Sequence, residues 1–178
     1  MFNYRSLIWP ALGAISIIFH LWLIFSGLIP NLISRPLHMA LALPWVFIYI
    51  AKSRYQRLTG SLFCFIGVAS CLWIAANQSM LGDQYAYLSN SFQLTIAVCL
   101  LLVTLEMARR AISWPLPVVA LIALAYGLWG QYIPGEFGHP GTPTASFLGT
   151  LTIAEGGIWG KLTGISVNIV AIFVIFGA

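Results

Sequence analysis

The chain has 178 residues, 60% hydrophobic and only 7% charged, with eight Lys or Arg against four Asp or Glu. Soluble domains carry about a quarter charged residues, so this composition, with a mean hydropathy of +0.93, excludes a water-soluble domain and points to an integral membrane protein. The net charge of +4 does not indicate nucleic-acid binding, because the basic residues sit at the ends of apolar runs, where positive charge sets membrane orientation.

The first apolar run extends from about Leu7 to Ile29 and is closed by Pro30. It is longer than a signal-peptide core and no small-residue cleavage site follows, so a retained helix is expected. His20 lies near its middle. An ionisable group at that depth is a functional candidate, and the plainer reading is a neutral imidazole hydrogen-bonded to a neighbouring helix. Arg35-Pro36-Leu37-His38 marks the next boundary, since proline near a helix start removes an N–H that is unpaired there anyway. The second run, Leu37 to about Ala51, is short for a full crossing, and Pro44 predicts a kink. Local bilayer thinning, or Asn31 to Ser34 as a first turn, would complete the crossing.

Lys52, Arg54 and Arg57 form the densest basic cluster, before a third run from Leu58 to about Ala76. Cys64 and Cys71 share a face of that run but are too far apart along it to bridge, and with Cys99 they read as packing residues. No metal-ligand spacing is present. The loop from Asn77 to Ser91 is polar with Asp83 as its only charge, and Tyr85 and Tyr87 suit a membrane–water interface.

The fourth run, Phe92 to Met107, ends in Glu106-Met-Ala-Arg109-Arg110. Spacings of three and four residues bring Glu106 to both arginines on one helix face, predicting a helix-end ion pair and a cytoplasmic anchor. Trp114-Pro-Leu-Pro117 opens a fifth run ending near Tyr132, in which Gly127 and Gly130 allow close approach of a neighbour. With the N-terminus inside, Arg5, Lys52, Arg54, Arg57, Arg109 and Arg110 lie on the cytoplasmic side, against Arg35 and Lys161 opposite. This bias predicts an N-in topology.

After Gln131 the pattern breaks into a Pro/Gly-rich turn reaching Gly141. Thr142 and Pro143 suit the N-cap and first position of a helix. Phe147, Leu151, Ala154 and Ile158 follow at helical intervals. Thr150, Thr152 and Glu155 keep this segment too polar for a lipid-exposed span, and at roughly fourteen residues it is too short, so a re-entrant or interfacial helix is expected. Gly156 and Gly157 would end it. Glu155 reads as a polar surface residue or as part of a water-filled vestibule. Gly160 and Gly164 form a Gly-x-x-x-Gly pair leading into a last run from Ile165, suited to tight packing. The expected fold is an all-α integral membrane protein with about six transmembrane helices, the last truncated, plus the short amphipathic helix.

Nothing here builds an enzyme site. There is no His-Glu-x-x-His, no Gly-x-Ser-x-Gly, no phosphate-binding glycine loop, and the four acidic residues are spread from Asp83 to Glu155.

Leu102-Val-Thr-Leu-Glu-Met-Ala-Arg-Arg110 followed by Trp114-Pro-Leu-Pro-Val118 resembles the fourth helix and linker of fused permeases of the tripartite ATP-independent periplasmic (TRAP) transporters. Tyr126-Gly-Leu-Trp-Gly-Gln-Tyr-Ile-Pro-Gly135, His139 and Gly141 are similar to their fusion helix and turn. Thr152-Ile-Ala-Glu-Gly-Gly-Ile-Trp-Gly160 and Ile172-Phe-Val-Ile-Phe-Gly-Ala178 are similar to the beginning of the large transport domain, and Arg35-Pro-Leu-His38 to the start of the second helix. Two stretches depart from the pattern: Tyr55-Gln-Arg-Leu58 stands where an acidic residue and tryptophan are usual, and Pro140-Gly-Thr-Pro143 where a basic residue and tyrosine are common.

The resemblance implies a permease for organic anions such as carboxylates, driven by a cation gradient, usually sodium, and fed by a periplasmic substrate-binding protein. It implies a four-helix scaffold over residues 1–110, a fusion helix and outer turn over 111–141, and the start of a transport domain over 142–178. The implied partners are the binding protein, the remainder of the transport domain and the lipid of a bacterial or archaeal cytoplasmic membrane. No cofactor is implied, and the family's substrate and sodium sites would lie beyond Ala178. A truncated scaffold that binds another subunit without transporting is the alternative.

Overall fold

The computed structural model describes residues 4–177; residues 1–3 and Ala178 lie outside the described residues, as does the side chain of Arg5 used in the charge count. Among the described residues the chain is helical, with no strand, and six helices are long and apolar enough to cross a membrane.

Helix α1 (Tyr4–Ser26) ends where Gly27 takes a φ of +64°, a conformation glycine adopts without strain. Helix α2 (Asn31–Pro44) starts immediately after Pro30, whose carbonyl accepts from the amides of Ile33 and Ser34 at 2.9 and 3.0 Å. The expected boundary at Arg35-Pro36 is therefore corrected. Both lie inside α2, and Asn31 to Ser34 supply the first turn of a 19-residue helical stretch, Asn31–Tyr49, long and apolar enough to cross a membrane. Pro36, the sixth residue of α2, has no N–H to give the Leu32 carbonyl and removes one ladder bond. Pro44 removes another ladder bond, and the chain answers by widening into a π-helical stretch (Trp45–Tyr49) rather than ending.

Helix α3 (Arg54–Ala76) is capped by Ser53, whose hydroxyl accepts from the Gln56 amide at 3.1 Å. Part of the polar loop folds as the short α4 (Gln78–Asp83), and Tyr85 and Ala86 then turn the chain at positive φ. Asn90 caps α5 (Ser91–Ala111) by accepting from the Gln93 amide at 2.8 Å. Helix α6 (Pro115–Trp129) opens on its proline and tightens into a 3-10 turn (Gly130–Tyr132).

The core lies where α3 packs between α2 and α5. Its buried face is built of small residues, Gly60, Cys64, Gly67, Ser70 and Cys71, against Leu43 and Phe47 on one side and Leu100 and Val103 on the other. Small residues of this kind let the helix backbones approach closely. A methyl at Gly67 would stand 2.7 Å from Leu43 Cδ1 and 2.9 Å from Val103 Cγ1.

The closing segment, residues 142–178, departs from its sequence reading at the start and end of α7 and at the start of the last helix. Helix α7 (Thr144–Thr152) starts after an extended Pro143 (ψ 129°) and no side chain caps its first turn, so the Thr142-Pro143 start is corrected. It spans nine residues and stops well before Gly156. The Trp159 indole donates to the Thr152 carbonyl at 2.6 Å, and the amides of Ile153 and Ala154 share the Gly149 carbonyl, which ends the ladder. Its buried residues are Leu148, Gly149 and Thr152, with Gly149 pressed against the Ala86 carbonyl. A 3-10 turn (Gly157–Trp159) follows, then α8 (Lys161–Ile165), a π-helical turn (Ser166–Val170) and α9 (Ala171–Gly177). This last helix thus starts four residues before Ile165.

Candidate functional site

Asn31, Arg35 and His38 follow one another at intervals of four and three residues, which places them in one stripe along α2. Each engages the closing segment. Asn31 Nδ2 donates to Glu155 Oε2 at 2.8 Å, Arg35 donates to the Trp159 carbonyl, and His38 Nε2 lies 3.2 Å from the Ser166 hydroxyl. These three contacts seat residues 155–166 on α2 from its first turn inward.

The glycines of the closing segment have different tasks within this seat. Gly157 has a φ of +48° and packs against the backbone of Leu151, so only glycine fits without strain. Gly164 lies beneath the Arg35 guanidinium, where a methyl would come within 2.9 Å of Nη2. Gly160 precedes α8 and has its tightest approach to the Gly157 carbonyl, while Gly156 is looser, 3.2 Å from the Thr150 carbonyl for an added methyl. The Gly160–Gly164 pair therefore makes room for a side chain and a turn rather than for a crossing helix. Gly127 and Gly130 do likewise, the first under the Phe147 ring and the second under His139.

His20 reaches the same stripe from α1. Its Nε2 is 2.8 Å from His38 Nδ1, and its Nδ1 is 2.7 Å from the Ser16 carbonyl. The sequence singled out His20 but not His38. The signal was available: His20 lies six residues before the end of α1 and His38 seven after the start of α2, so an antiparallel pair puts them at one depth. His20 also lines a cavity of about 400 Å³ together with Gly27, Asn31, Ser34 and Asn168.

At the opposite end, Glu106 sits between two guanidinium groups. Arg109 binds it bidentately at 2.7 Å through Nε and Nη2, and Arg110 Nε approaches Oε1 at 2.7 Å. Arg110 then donates to the Gln56 carbonyl and the Thr59 hydroxyl, both at 2.9 Å, which ties α5 to α3. Lys52, Arg54 and Arg57 lie at this same end; the Lys52 amide donates to Gln56 Oε1 at 3.1 Å, and the Arg54 and Arg57 side chains are exposed.

The turn after α6 is organised by His139. Its Nδ1 is 2.8 Å from the Pro140 carbonyl and its Nε2 3.0 Å from the Tyr126 carbonyl. Only the doubly protonated ring can donate to both, and these bonds, first to Pro140 and then to Tyr126, raise the His139 pKa above its ordinary 6.5.

Among the described residues no group of three or more His, Cys, Asp or Glu side chains is placed to hold a metal ion. No family model, curated protein or solved structure matches the chain. What the fold defines is a helical protein with several helices of membrane-crossing length and apolarity.

Proposed function

We propose that this chain is the scaffold and linker portion of a TRAP-type permease, a cation-gradient-driven, binding-protein-dependent transporter of organic anions such as carboxylates. The observation that carries the reading is the seat of the closing segment on the Asn31–Arg35–His38 stripe of α2. A helix that spends three polar side chains at membrane depth on one later segment fits a fixed scaffold that anchors the start of a second domain. The resemblance of residues 102–118, 126–141 and 152–178 to such permeases supports the same assignment.

In this reading the N-terminus is cytoplasmic. Arg110 joins its own end of α5 to the basic start of α3, while Arg35 meets the Trp159–Lys161 turn at the other end of α2. The two larger basic clusters thus share one end of the bundle, as the positive-inside bias requires.

The test is uptake by the complete gene product in proteoliposomes, supplied with its binding protein and an inward sodium gradient. Uptake of an organic carboxylate that needs both is expected, and residues 1–178 alone are expected to transport nothing. Absence of uptake by a folded, binding-protein-competent product would overturn the transport reading and leave a non-transporting scaffold.

A further inference from the structure

We propose that His20, His38 and Ser166 form a binding site for one proton, shared between the two imidazoles where α1, α2 and the π-helical turn of the last helix meet. This rests on the hydrogen-bond geometry and not on the transporter assignment.

The carbonyl of Ser16 accepts only, so the nitrogen 2.7 Å from it, His20 Nδ1, carries hydrogen. In neutral His20 the other nitrogen, Nε2, is then an acceptor. His38 Nδ1, 2.8 Å away, must donate to it, which leaves His38 Nε2 to accept from the Ser166 hydroxyl. The neutral chain therefore has one direction, from Ser166 through both rings to Ser16.

One added proton fits without breaking any contact. It binds His38 Nε2, and the Ser166 hydroxyl rotates from donor to acceptor. The N–H between the rings can then shift from His38 Nδ1 to His20 Nε2, giving an equivalent state with the charge on His20. Both states keep all three hydrogen bonds and spread one positive charge over two rings. A second proton would set N–H against N–H at the 2.8 Å contact, so the capacity is one.

The surroundings supply no competing acid. The other charged groups of α1 and α2 are Arg5, at the far start of α1, and Arg35, which is engaged by the Trp159 carbonyl. The last helix carries only Lys161, at its exposed start. On the buried face of α3, behind α2, stand Cys64 and Cys71, and the remaining charged groups of α3, Arg54 and Arg57, are at the opposite end. Glu155, the one acid of residues 142–178, is bound to Asn31. A cavity of about 380 Å³ borders Ser16, His20, His38 and Ser166 together, and His20 also borders the cavity of Asn31, Ser34 and Asn168, whose polar groups suit water.

The experiment is nitrogen NMR of the full chain, histidine-labelled and held in lipid nanodiscs, with His139 assigned by His139→Gln. A nitrogen–nitrogen coupling across the His20–His38 hydrogen bond and uptake of one proton by the pair are expected. Ser166→Ala should keep that coupling and lower the proton affinity of the pair about tenfold, since a hydrogen bond to a charged group is the stronger one lost. Absence of the coupling in the unmodified chain, independent uptake of two protons, or an unchanged affinity in Ser166→Ala would each overturn the proposal. If Ser166→Ala does not fold, the coupling and proton count of the unmodified chain decide.

Discussion

Arg110 lays its guanidinium over the Phe47 ring, 5.1 Å from the centroid, and points Nη1 at the Phe47 carbonyl 3.4 Å away. That carbonyl belongs to the widened stretch after Pro44, so the arginine of α5 braces α2 where a proline has disturbed its ladder. Among the described residues Arg109 meets Glu106 and the face of Trp114.

The two arginines should therefore differ on truncation. Arg110→Ala leaves Glu106 with one partner and frees acceptors on α2 and α3, and a loss of about 3 kcal/mol is expected. Arg109→Ala removes a more exposed partner and should cost about 1 kcal/mol or less. Arg110→Lys should restore little, because one ammonium cannot reproduce the fork that reaches Glu106, Gln56 and Thr59 together. Unfolding in mixed micelles measures all three, and equal losses for the two alanine variants would contradict the assignment.

The glycines sort by what a methyl would meet. Gly157→Ala forces an alanine to positive φ, at a cost of about 1–2 kcal/mol before its clash with Leu151 is counted. Gly60→Ala would drive a methyl into the Phe47 carbonyl and to 2.7 Å from Arg110 Nη1, and overpacking of this kind costs about 1–3 kcal/mol. Gly156→Ala should change stability by less than about 0.5 kcal/mol. The same unfolding assay ranks them, and a tolerated Gly157→Ala would show that the turn can be remade.

His139 gives the turn after α6 a pH dependence. Its folded pKa is raised, so its contribution is fully present below the ordinary value of 6.5 and is lost as pH rises through the higher folded value. Hydrogen exchange of the turn, read at the Gly138 amide bonded to the Gly135 carbonyl, should accelerate across that window once its intrinsic pH dependence is removed. His139→Gln should abolish the step, and a step that persists in that variant would assign it elsewhere.

Orientation is tested by labelling one introduced cysteine at a time in a Cys99→Ser background, whose remaining Cys64 and Cys71 are buried. Arg54→Cys is a better reporter than a cysteine at Ser53, because the Ser53 hydroxyl caps α3. A membrane-impermeant maleimide added outside intact cells should label Ser89→Cys and spare Arg54→Cys. The reverse pattern would invert the topology.

The helices were legible because length and hydropathy alone define a crossing segment. The partners of the polar residues were not. Arg35-Pro36 looked like a boundary since both residues are unusual in an apolar helix, yet the carbonyl that Arg35 binds lies 124 positions away. The intervals joining Asn31, Arg35 and His38 were visible, but without Glu155, Trp159 and Ser166 opposite them they had no purpose. Which face of α7 is buried was not legible either: the Ala86 carbonyl lies against Gly149, a contact between a turn and a helix that periodicity does not contain. The Glu106–Arg109–Arg110 cluster was legible because its partners are one helical turn apart.

Everything assigned to the closing segment depends on its seat along α2, and a cross-link tests that seat most directly. In membranes containing the chain in a Cys99→Ser background, Asn31→Cys paired with Glu155→Cys should form a disulfide under mild oxidation, detected by mass spectrometry of the joined peptides. Arg54→Cys paired with Glu155→Cys, at opposite ends of the bundle, should not. Failure of the first pair to join while both of its thiols remain open to maleimide would contradict the seat, and with it the proposed handover from scaffold to second domain.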